Sequence, residues 1–183
     1  DDAEHDNEGR ILRDNVYGSI DEDVWRRDFT CNALYYNIAD FSIWDYVGGT
    51  RDIDRREIAL IGDPSQRLRE DPVRMLRAVR FSAKLGFSMD PALADAIHEH
   101  VHLLTNVPAA RLCDECMKLF QAGFAARTYE LLSEYGLFAE LFPATAQEIE
   151  ANPKFEAFIQ EALVNTDRRI ADGKSVTPMF LLG

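Results

Sequence analysis

Gly62 divides this sequence into two parts whose residue patterns differ. Before it, short runs rich in aromatic and β-branched residues lie between turn residues, a pattern typical of strands. After it, an aspartate precedes a proline at Asp63-Pro64 and again at Asp71-Pro72. Such a pair supplies a helix N-cap and a first helical residue with a preset backbone angle. The sequence therefore predicts an α+β chain, with a small β-containing part followed by an all-α part.

The predicted strands all lie before residue 62, at 32–38, 41–47 and 58–61, and Gly48-Gly49 ends the second. Apolar spacing predicts six helices after Gly62. They begin at Asp63-Pro64, Asp71-Pro72, Pro91, Pro108, Ala125 and Pro153, and the last five end near residues 86, 101, 123, 136 and 171.

The helix predicted over 72–85 has two unlike faces. Four apolar residues share one side, namely Met75, Leu76, Val79 and Ala83. Three cations lie opposite them, with Arg74 beside the group: Arg77, Arg80 and Lys84. The helix thus combines a core face with a cationic stripe, which a solvated surface helix also shows.

Composition limits the classes of protein to consider. Of the 183 residues, 46% are apolar and 28% are charged, as in an ordinary globular protein. No window approaches the roughly 18 consecutive apolar residues that a membrane helix needs, so we expect no membrane partner. The odd number of cysteines, three, argues against a disulfide framework and favours the reducing cytoplasm.

The net charge of −12 is unevenly distributed. Residues 1–28 carry ten acids against four bases, whereas residues 51–84 carry nine bases against six acids. Sixteen of the twenty bases are arginine, whose planar donor fork suits phosphates and base edges. Codon bias in a GC-rich genome explains the same preference equally well, so composition alone leaves nucleotide contact open.

Both ends of the chain lead us to expect part of a longer protein. Residues 1–10 begin without a methionine and are polar and acidic, so we expect a flexible loop there. Thr177-Pro178 carries a helix-start signal, and only about one turn of apolar sequence follows it.

Asp71 and Arg74 are three residues apart at a predicted helix start, so their side chains can lie side by side. A carboxylate accepts hydrogen bonds and a guanidinium donates them. Adenine and cytosine offer an amino donor beside a ring-nitrogen acceptor, and guanine and uracil offer the reverse. The pair could therefore accept A or C and refuse G or U. The alternative is an N-cap aspartate with a nearby ion pair.

Three segments, taken together, resemble the motifs of one family. They are Arg26–Leu34 (RRDFTCNAL), Asp45–Ile53 (DYVGGTRDI) and Glu70–Phe81 (EDPVRMLRAVRF). Their order and spacing are similar to those of the class II nucleotidyltransferases, which are the bacterial poly(A) polymerases and the CCA-adding tRNA nucleotidyltransferases. The resemblance covers roughly residues 11–142. Asn106–Glu115 and Leu12–Ile20 resemble the poly(A) polymerase branch more than the CCA-adding branch.

The resemblance implies template-independent transfer of AMP from ATP to the 3′ hydroxyl of an RNA. In the family, two aspartates of a D-x-D motif, which follows a GGxVRD strand, hold two Mg²⁺ ions. That strand and the motif after it are not found in this sequence. We therefore expect the main Mg²⁺ ligands upstream, no metal ligands in this chain, and no catalysis by it alone. The implied organisation is a remainder of the head (1–62), a helical neck that recognises the base and binds RNA (63–107), and a truncated start of a helical body (108–183).

The first motif segment carries two implied site residues. Asp28 matches the acid that the family groups with its catalytic carboxylates, near the nucleotide sugar. The alternative is a buried aspartate that pairs with Arg26 or Arg27. Arg27 would neutralise charge on the triphosphate.

The other segments carry the remaining implied roles. Asp71 and Arg74 would recognise the base, and Arg77 and Arg80 would reach phosphates or brace Asp71. In the family, the segment of Gly48-Gly49 acts as a hinge between the catalytic and base-recognising parts. An ordinary strand-to-helix turn explains the two glycines nearly as well.

Two further features have plain structural explanations. Cys113 and Cys116 form a C-x-x-C, but both lie in a predicted helix and no second pair follows at ligand spacing, so we expect no metal there. Aromatic residues at 35–36 and 41–46 could stack bases, yet we expect them to fill the core between the strands and the first helix.

Two other functions remain open. A CCA-adding enzyme would make a different product by the same chemistry. A non-catalytic RNA- or protein-binding module is the second alternative, and the net charge of −12 disfavours strong RNA binding by such a module.

Overall fold

A computed structural model describes residues 4–5, 11–13 and 20–177 of the chain. The strands in these ranges are β1 Glu4–His5, β2 Ile11–Arg13, β3 Leu34–Tyr36, β4 Ile43–Asp45, β5 Glu57–Ile58 and β6 Ser88–Met89. They form three two-stranded sheets: β1 with β2 and β3 with β4 are antiparallel, and β5 with β6 is parallel.

Helices dominate the rest of the described chain. The first five are α1 Ile20–Arg26, α2 Gly49–Arg55, α3 Pro64–Glu70, α4 Val73–Leu85 and α5 Pro91–His100. The second five are α6 Ala109–Phe120, α7 Ala125–Glu134, α8 Leu137–Leu141, α9 Pro143–Ala151 and α10 Pro153–Ala171. Short 3₁₀ helices span Thr30–Asn32 and Val101–Asn106. The predicted α+β class, with small strand pairs and a largely helical second part, is confirmed.

Side-chain caps are present at the predicted starts of α3 and α5, whereas α4 begins at Val73 after Pro72 without one. The Asp63 carboxylate accepts a hydrogen bond from the Gln66 N–H, so α3 begins where the Asp-Pro pair places it. Asp90 caps α5 in the same way by accepting from the N–H groups of Ala92 and Leu93. These side chains satisfy donors that the first helical turn leaves unpaired.

Three expectations about local structure are wrong. The strands do not all precede residue 62, because β6 pairs with β5 across the two helices between them. A two-residue strand is too short to show an alternating pattern. The flexible loop expected at 1–10 is wrong at Glu4–His5, which pairs with β2. The chain has more helices than predicted, because α2 begins at Gly49 and because α8 and α9 lie between the helices predicted to end near 136 and to begin at Pro153. The helix predicted after Thr177-Pro178 lies outside the described residues.

The apolar core centres on α4. Its predicted core face is confirmed, since Met75, Leu76 and Val79 are fully buried and Ala83 is nearly so. The expectation that the early aromatic residues fill a core is wrong for most of them. Four are exposed, namely Tyr36, Phe41, Trp44 and Tyr46. Within the described ranges, no helix combines the length and the apolar character needed to cross a bilayer.

Candidate functional site

The backbone of the first motif segment is held against the strand-like segment that precedes α3. Phe29 forms an antiparallel bridge with Leu60. The Ile61 N–H donates to the Asp28 carbonyl at 3.0 Å, and the Thr30 N–H donates to the Ala59 carbonyl at 3.0 Å. The Phe29 side chain is fully buried and packs edge-on against Phe81 of α4. Asp28 is therefore fixed beside α4.

Two arginines of α4 bind the Asp28 carboxylate. Arg74 Nε donates to one oxygen at 2.8 Å, and Arg77 Nη1 donates to the other at 2.7 Å. The exposed fraction of the side chain is 16% for Asp28, 12% for Arg74 and 31% for Arg77. Asp28 does not pair with Arg26 or Arg27, the alternative that its neighbours in sequence suggested. Its partners lie 46 and 49 residues away.

The two arginines keep Asp28 ionised. Burial raises the pKa of this carboxyl, but the hydrogen bonds from Arg74 and Arg77 outweigh that effect, so the pKa lies below its ordinary value. The same carboxylate raises the pKa of Arg77, although burial acts in the opposite direction. The result is a charged cluster that stays ionised at neutral pH.

Arg67 of α3 supports this cluster, a role that the sequence did not reveal. Its Nη2 donates to the Arg27 carbonyl at 2.9 Å, and its own carbonyl accepts from Arg74 Nη1 at 2.8 Å. The Oε2 atom of Glu70 lies 3.2 Å from Nη1 of Arg67 and 3.7 Å from Nη1 of Arg74. The corner between α3 and α4 thus holds the Arg74 guanidinium in one orientation.

Asp71 and Arg74 have different partners in the structure. The Asp71 carboxylate accepts from Arg111 Nη2 at 2.7 Å and from the Val73 N–H at 3.3 Å. Arg111 lies in the first turn of α6, inside the segment that resembles the poly(A) polymerase branch. Sequence reasoning gave Arg111 no role, and its only signal was membership of that segment.

Arg27 belongs to a second cluster. It donates to Asp23 at 2.9 and 3.0 Å, to the Tyr35 hydroxyl at 3.1 Å and to the Asn32 carbonyl at 2.8 Å. The Tyr35 hydroxyl in turn donates to Asp23 at 2.6 Å. The Tyr35 hydrogen bond, followed by that of Arg27, lowers the pKa of Asp23. Arg27 remains 40% exposed, so it is accessible to an anion.

The glycine segment forms a close turn from β4 into α2. Asp45 accepts from the N–H groups of Gly48 at 2.8 Å and Gly49 at 2.9 Å, and from the Thr50 hydroxyl at 2.6 Å. Gly48 has a left-handed φ of 82°, and a Cβ at Gly49 would lie 2.2 Å from the Thr30 carbonyl oxygen. Thr30 also donates to the buried Asp52 carboxylate at 2.7 Å. The first two motif segments are therefore in direct contact.

The described residues do not fit a Mg²⁺ site by themselves. No three or more of their His, Cys, Asp and Glu side chains are grouped so that they could hold a metal ion. Both oxygens of Asp28 are already bonded to arginine. Cys116 is buried in α6 and burial raises the pKa of its thiol to about 11, whereas Cys113 is exposed.

Two family models match separate parts of the chain. The model described as the poly A polymerase head domain matches residues 2–59. The model described as the probable RNA and SrmB-binding site of polymerase A matches residues 86–149. Arg74 and Arg77 lie between the two matches.

Relatives from both branches of the family are similar to this chain. Poly(A) polymerase I of Escherichia coli O157:H7 is 51% identical over 175 residues, which are 94% of this chain and 38% of that protein. The CCA-adding enzyme of Bacillus subtilis (strain 168) is 41% identical over 123 residues, which are 67% of this chain and 31% of that protein. The chain therefore spans less than half the length of these relatives.

The fold is shared with solved structures. A tRNA nucleotidyltransferase complexed with a primer tRNA and an incoming ATP analog matches with a TM-score of 0.63 at 31% identity, over 73% of this chain and 42% of that one. The motif segments, the two family models, the relatives and this shared fold agree. The chain belongs to the family of the poly(A) polymerases and CCA-adding enzymes, the class II nucleotidyltransferases.

Proposed function

We propose that the protein carrying this chain is a template-independent RNA nucleotidyltransferase that transfers AMP from ATP to RNA 3′ ends. The observation that carries the proposal is the convergence of three motif segments. Asp28 of the first segment binds Arg74 and Arg77 of the third, and Thr30 of the first binds Asp52 of the second. Segments far apart in sequence thus build one charged site beside α4.

The poly(A) branch is favoured over the CCA-adding branch. The E. coli poly(A) polymerase I is 51% identical over 94% of this chain, whereas the B. subtilis CCA-adding enzyme is 41% identical over 67%. The CCA-adding reaction stays the second candidate, because one of the matching solved structures is a tRNA nucleotidyltransferase with a primer tRNA and an incoming ATP analog.

For base recognition we propose that Arg74 donates to the ring nitrogen of adenine and Asp71 accepts from its amino group. Arg74 Nε and Nη1 are bonded to Asp28 and to the Arg67 carbonyl, which leaves Nη2 without a partner among the described residues. Arg111 holds Asp71 through one oxygen. The Val73 N–H donates to the other Asp71 oxygen at 3.3 Å, and that oxygen can still accept a second hydrogen bond. Arg74 Nη2 and the Asp71 carboxylate therefore offer a fixed donor and a fixed acceptor to a base.

The remaining roles are part of the same proposal. Arg27, which is 40% exposed, would bind phosphate charge of the triphosphate. Asp28 would act near the nucleotide sugar, and Gly48-Gly49 would be a hinge. The division into head (1–62), neck (63–107) and body (108–183) is proposed on the same ground. The three cysteines are free thiols, which fits a cytoplasmic location.

An extension assay on the intact protein tests this function. The protein is incubated with Mg²⁺, an RNA primer and each labelled nucleotide in turn, and the products are resolved by length. We expect a long A tail from ATP alone. A product that stops after C, C and A on a tRNA primer would establish the CCA-adding reaction instead. Absence of any transfer would reject both.

A further inference from the structure

The arginines in the described part of the chain differ in what holds their guanidinium groups. Most arginines of known side-chain position are neutralised by a carboxylate, as Arg74 and Arg77 are by Asp28 and Arg111 is by Asp71. Arg56 and Arg80 differ. The Arg80 guanidinium lies 5.5 Å from the ring centre of Phe81, and that of Arg56 lies 5.6 Å from the ring centre of Phe87. Neither has an ion pair within the described part of the chain.

An aromatic support holds an arginine without cancelling its charge. The ring face attracts the cation, so the guanidinium loses conformational freedom before any ligand arrives. A carboxylate partner would have neutralised it. Arg56 and Arg80 are therefore ordered cations that retain their full charge, a useful state for binding an anion.

These two cations form a line with Lys84. Arg80 and Lys84 are four residues apart on α4, which places them on the same face. Arg56 reaches the end of that helix, since its Nη2 lies 3.6 Å from the position that a Cβ at Gly86 would take. Backbone pairing fixes this approach, because the Ser88 N–H donates to the Arg56 carbonyl at 2.9 Å. Lys84 is exposed and has no ion pair within the described ranges.

This line of cations extends along α4 away from the candidate site. Arg77, three residues before Arg80 on the same helix, binds Asp28 and so belongs to the site itself. From Arg77 to Lys84 the helix rises about 10 Å. That length corresponds to about three nucleotides of a stacked strand.

We propose that Arg56, Arg80 and Lys84, which we call the α4 cationic track, bind successive phosphates of the RNA strand whose 3′ end lies at the site. The proposal rests on the proposed function and adds to it the path of the RNA. Charge supports RNA as the occupant, since residues 51–84 carry nine bases against six acids. Residues 86–149, which match the RNA-binding family model, carry only three bases against nine acids.

The track assigns a role to Arg80 that the sequence left open. The sequence allows Arg80 to reach phosphates or to brace Asp71. The partner of Asp71 is Arg111, and Arg80 lies one turn further from the helix start than Arg77. RNA phosphates explain an ordered arginine with full charge at this position.

Direct RNA binding by the intact protein tests the track. The probe is a short fluorescent oligo(A) in the absence of ATP, and its affinity is measured by anisotropy over a range of salt concentrations. The test variant combines Arg56→Gln, Arg80→Gln and Lys84→Gln. The matched control combines Lys154→Gln, Arg168→Gln and Arg169→Gln on α10, which removes the same charge elsewhere.

We expect the test variant to lose roughly ten- to a hundredfold in affinity, from about two- to fivefold for each of the three cations. The slope of log affinity against log salt should flatten by about 2, because each phosphate contact on a single strand contributes about 0.7. The control should stay within about twofold of wild type. Arg56→Lys with Arg80→Lys should preserve most of the slope, which would show that charge is the cause.

Other outcomes overturn the proposal. Equal weakening in the test and control variants would mean that only the net charge matters, and unchanged binding in both would place the RNA elsewhere. If the test variant loses affinity for poly(Glu) but retains its affinity for RNA, the α4 cationic track binds an acidic protein instead. Because the assay contains no ATP, it is independent of the extension assay. Loss of AMP transfer with normal track-dependent RNA binding would reject the proposed function alone.

Discussion

Arg74 is the residue on which the proposed choice of nucleotide depends most. Changing Arg74 to Ala leaves the ring nitrogen of adenine without its charged donor. Loss of such a bond costs roughly 1.5–3 kcal/mol, which is about one to two decades in kcat/KM for ATP. Asp71→Asn should weaken discrimination against GTP, because an amide donates as well as accepts. The double change should cost less than the sum of the single changes.

Steady-state kinetics of the intact enzyme with ATP, CTP, GTP and UTP measure these effects. Arg111→Ala is an informative third variant, because it removes the ion pair between Arg111 and Asp71 and leaves the Asp71 side chain in place. Unchanged selectivity in both the Arg74→Ala and Asp71→Asn enzymes would place base recognition elsewhere.

Asp28 makes the stability of the site depend on pH. Its two arginine partners hold the pKa below the ordinary value of about 3.9, despite the opposing effect of burial. A carboxyl with a lowered pKa in the folded state adds stability that is complete above the unfolded pKa and is lost as the pH falls through the folded pKa. The advantage of wild type over Asp28→Asn in free energy of unfolding should therefore shrink below about pH 5.

Urea unfolding of both proteins at a series of pH values measures this difference. A difference that stays constant from neutral to acid pH would show that the Asp28 charge does not stabilise the fold.

The sequence indicated which residues matter at this site but not which of them touch. Asp71 and Arg74 have the spacing of neighbours on a helix, yet each binds a residue far away in sequence, Arg111 and Asp28. Local spacing carries no information on such partners, because tertiary packing decides them. The resemblance implied roles for Asp28 and Arg74 at the same nucleotide, but it did not pair the two side chains with each other.

At the scale of secondary-structure elements, the turn between β4 and α2 requires a glycine at position 49. A Cβ at Gly49 would lie 2.2 Å from the Thr30 carbonyl oxygen, which is backbone and cannot rotate away. Gly49→Ala should therefore lower the free energy of unfolding by about 3 kcal/mol, at the upper end of the range for overpacking. Thermal and urea unfolding measure the loss.

Gly173→Ala is the matched control for this change. Its φ is +71° and no atom lies within 4 Å of its Cβ position, so only backbone preference is affected and we expect a loss of about 1 kcal/mol. Equal losses in the two variants would show that Thr30 gives way easily.

Some secondary-structure elements can be predicted from the sequence and others cannot, for a physical reason. The start of α3 is predictable because an N-cap aspartate and a proline act within one turn of the chain, and that of α5 because a proline marks its first residue. β6 was missed because its pairing depends on Glu57, thirty-one residues earlier. The exposed aromatic residues of the β3–β4 hairpin were misassigned because β propensity does not tell which face is covered.

At the scale of the whole molecule, we expect no AMP transfer from the 183-residue chain alone. Asp28 is bonded to two arginines, and in the described ranges no other carboxylates join it in a metal-binding group. The purified chain, incubated with ATP, Mg²⁺ and labelled RNA, provides the measurement, with the intact protein as positive control. A labelled A tail made by the chain alone would contradict this expectation.

The parallel pairing of β5 with β6 also bears on insertions and deletions in this chain. Helices α3 and α4 form the connection between these two strands, and α4 presents Arg74 and Arg77 to one carboxylate. One residue inserted between the two arginines would turn one of them by about 100° around the helix, away from Asp28. Homologous chains should therefore keep the length from residue 58 to 88 constant. Length changes should collect instead in the exposed hairpin connection from 37 to 42.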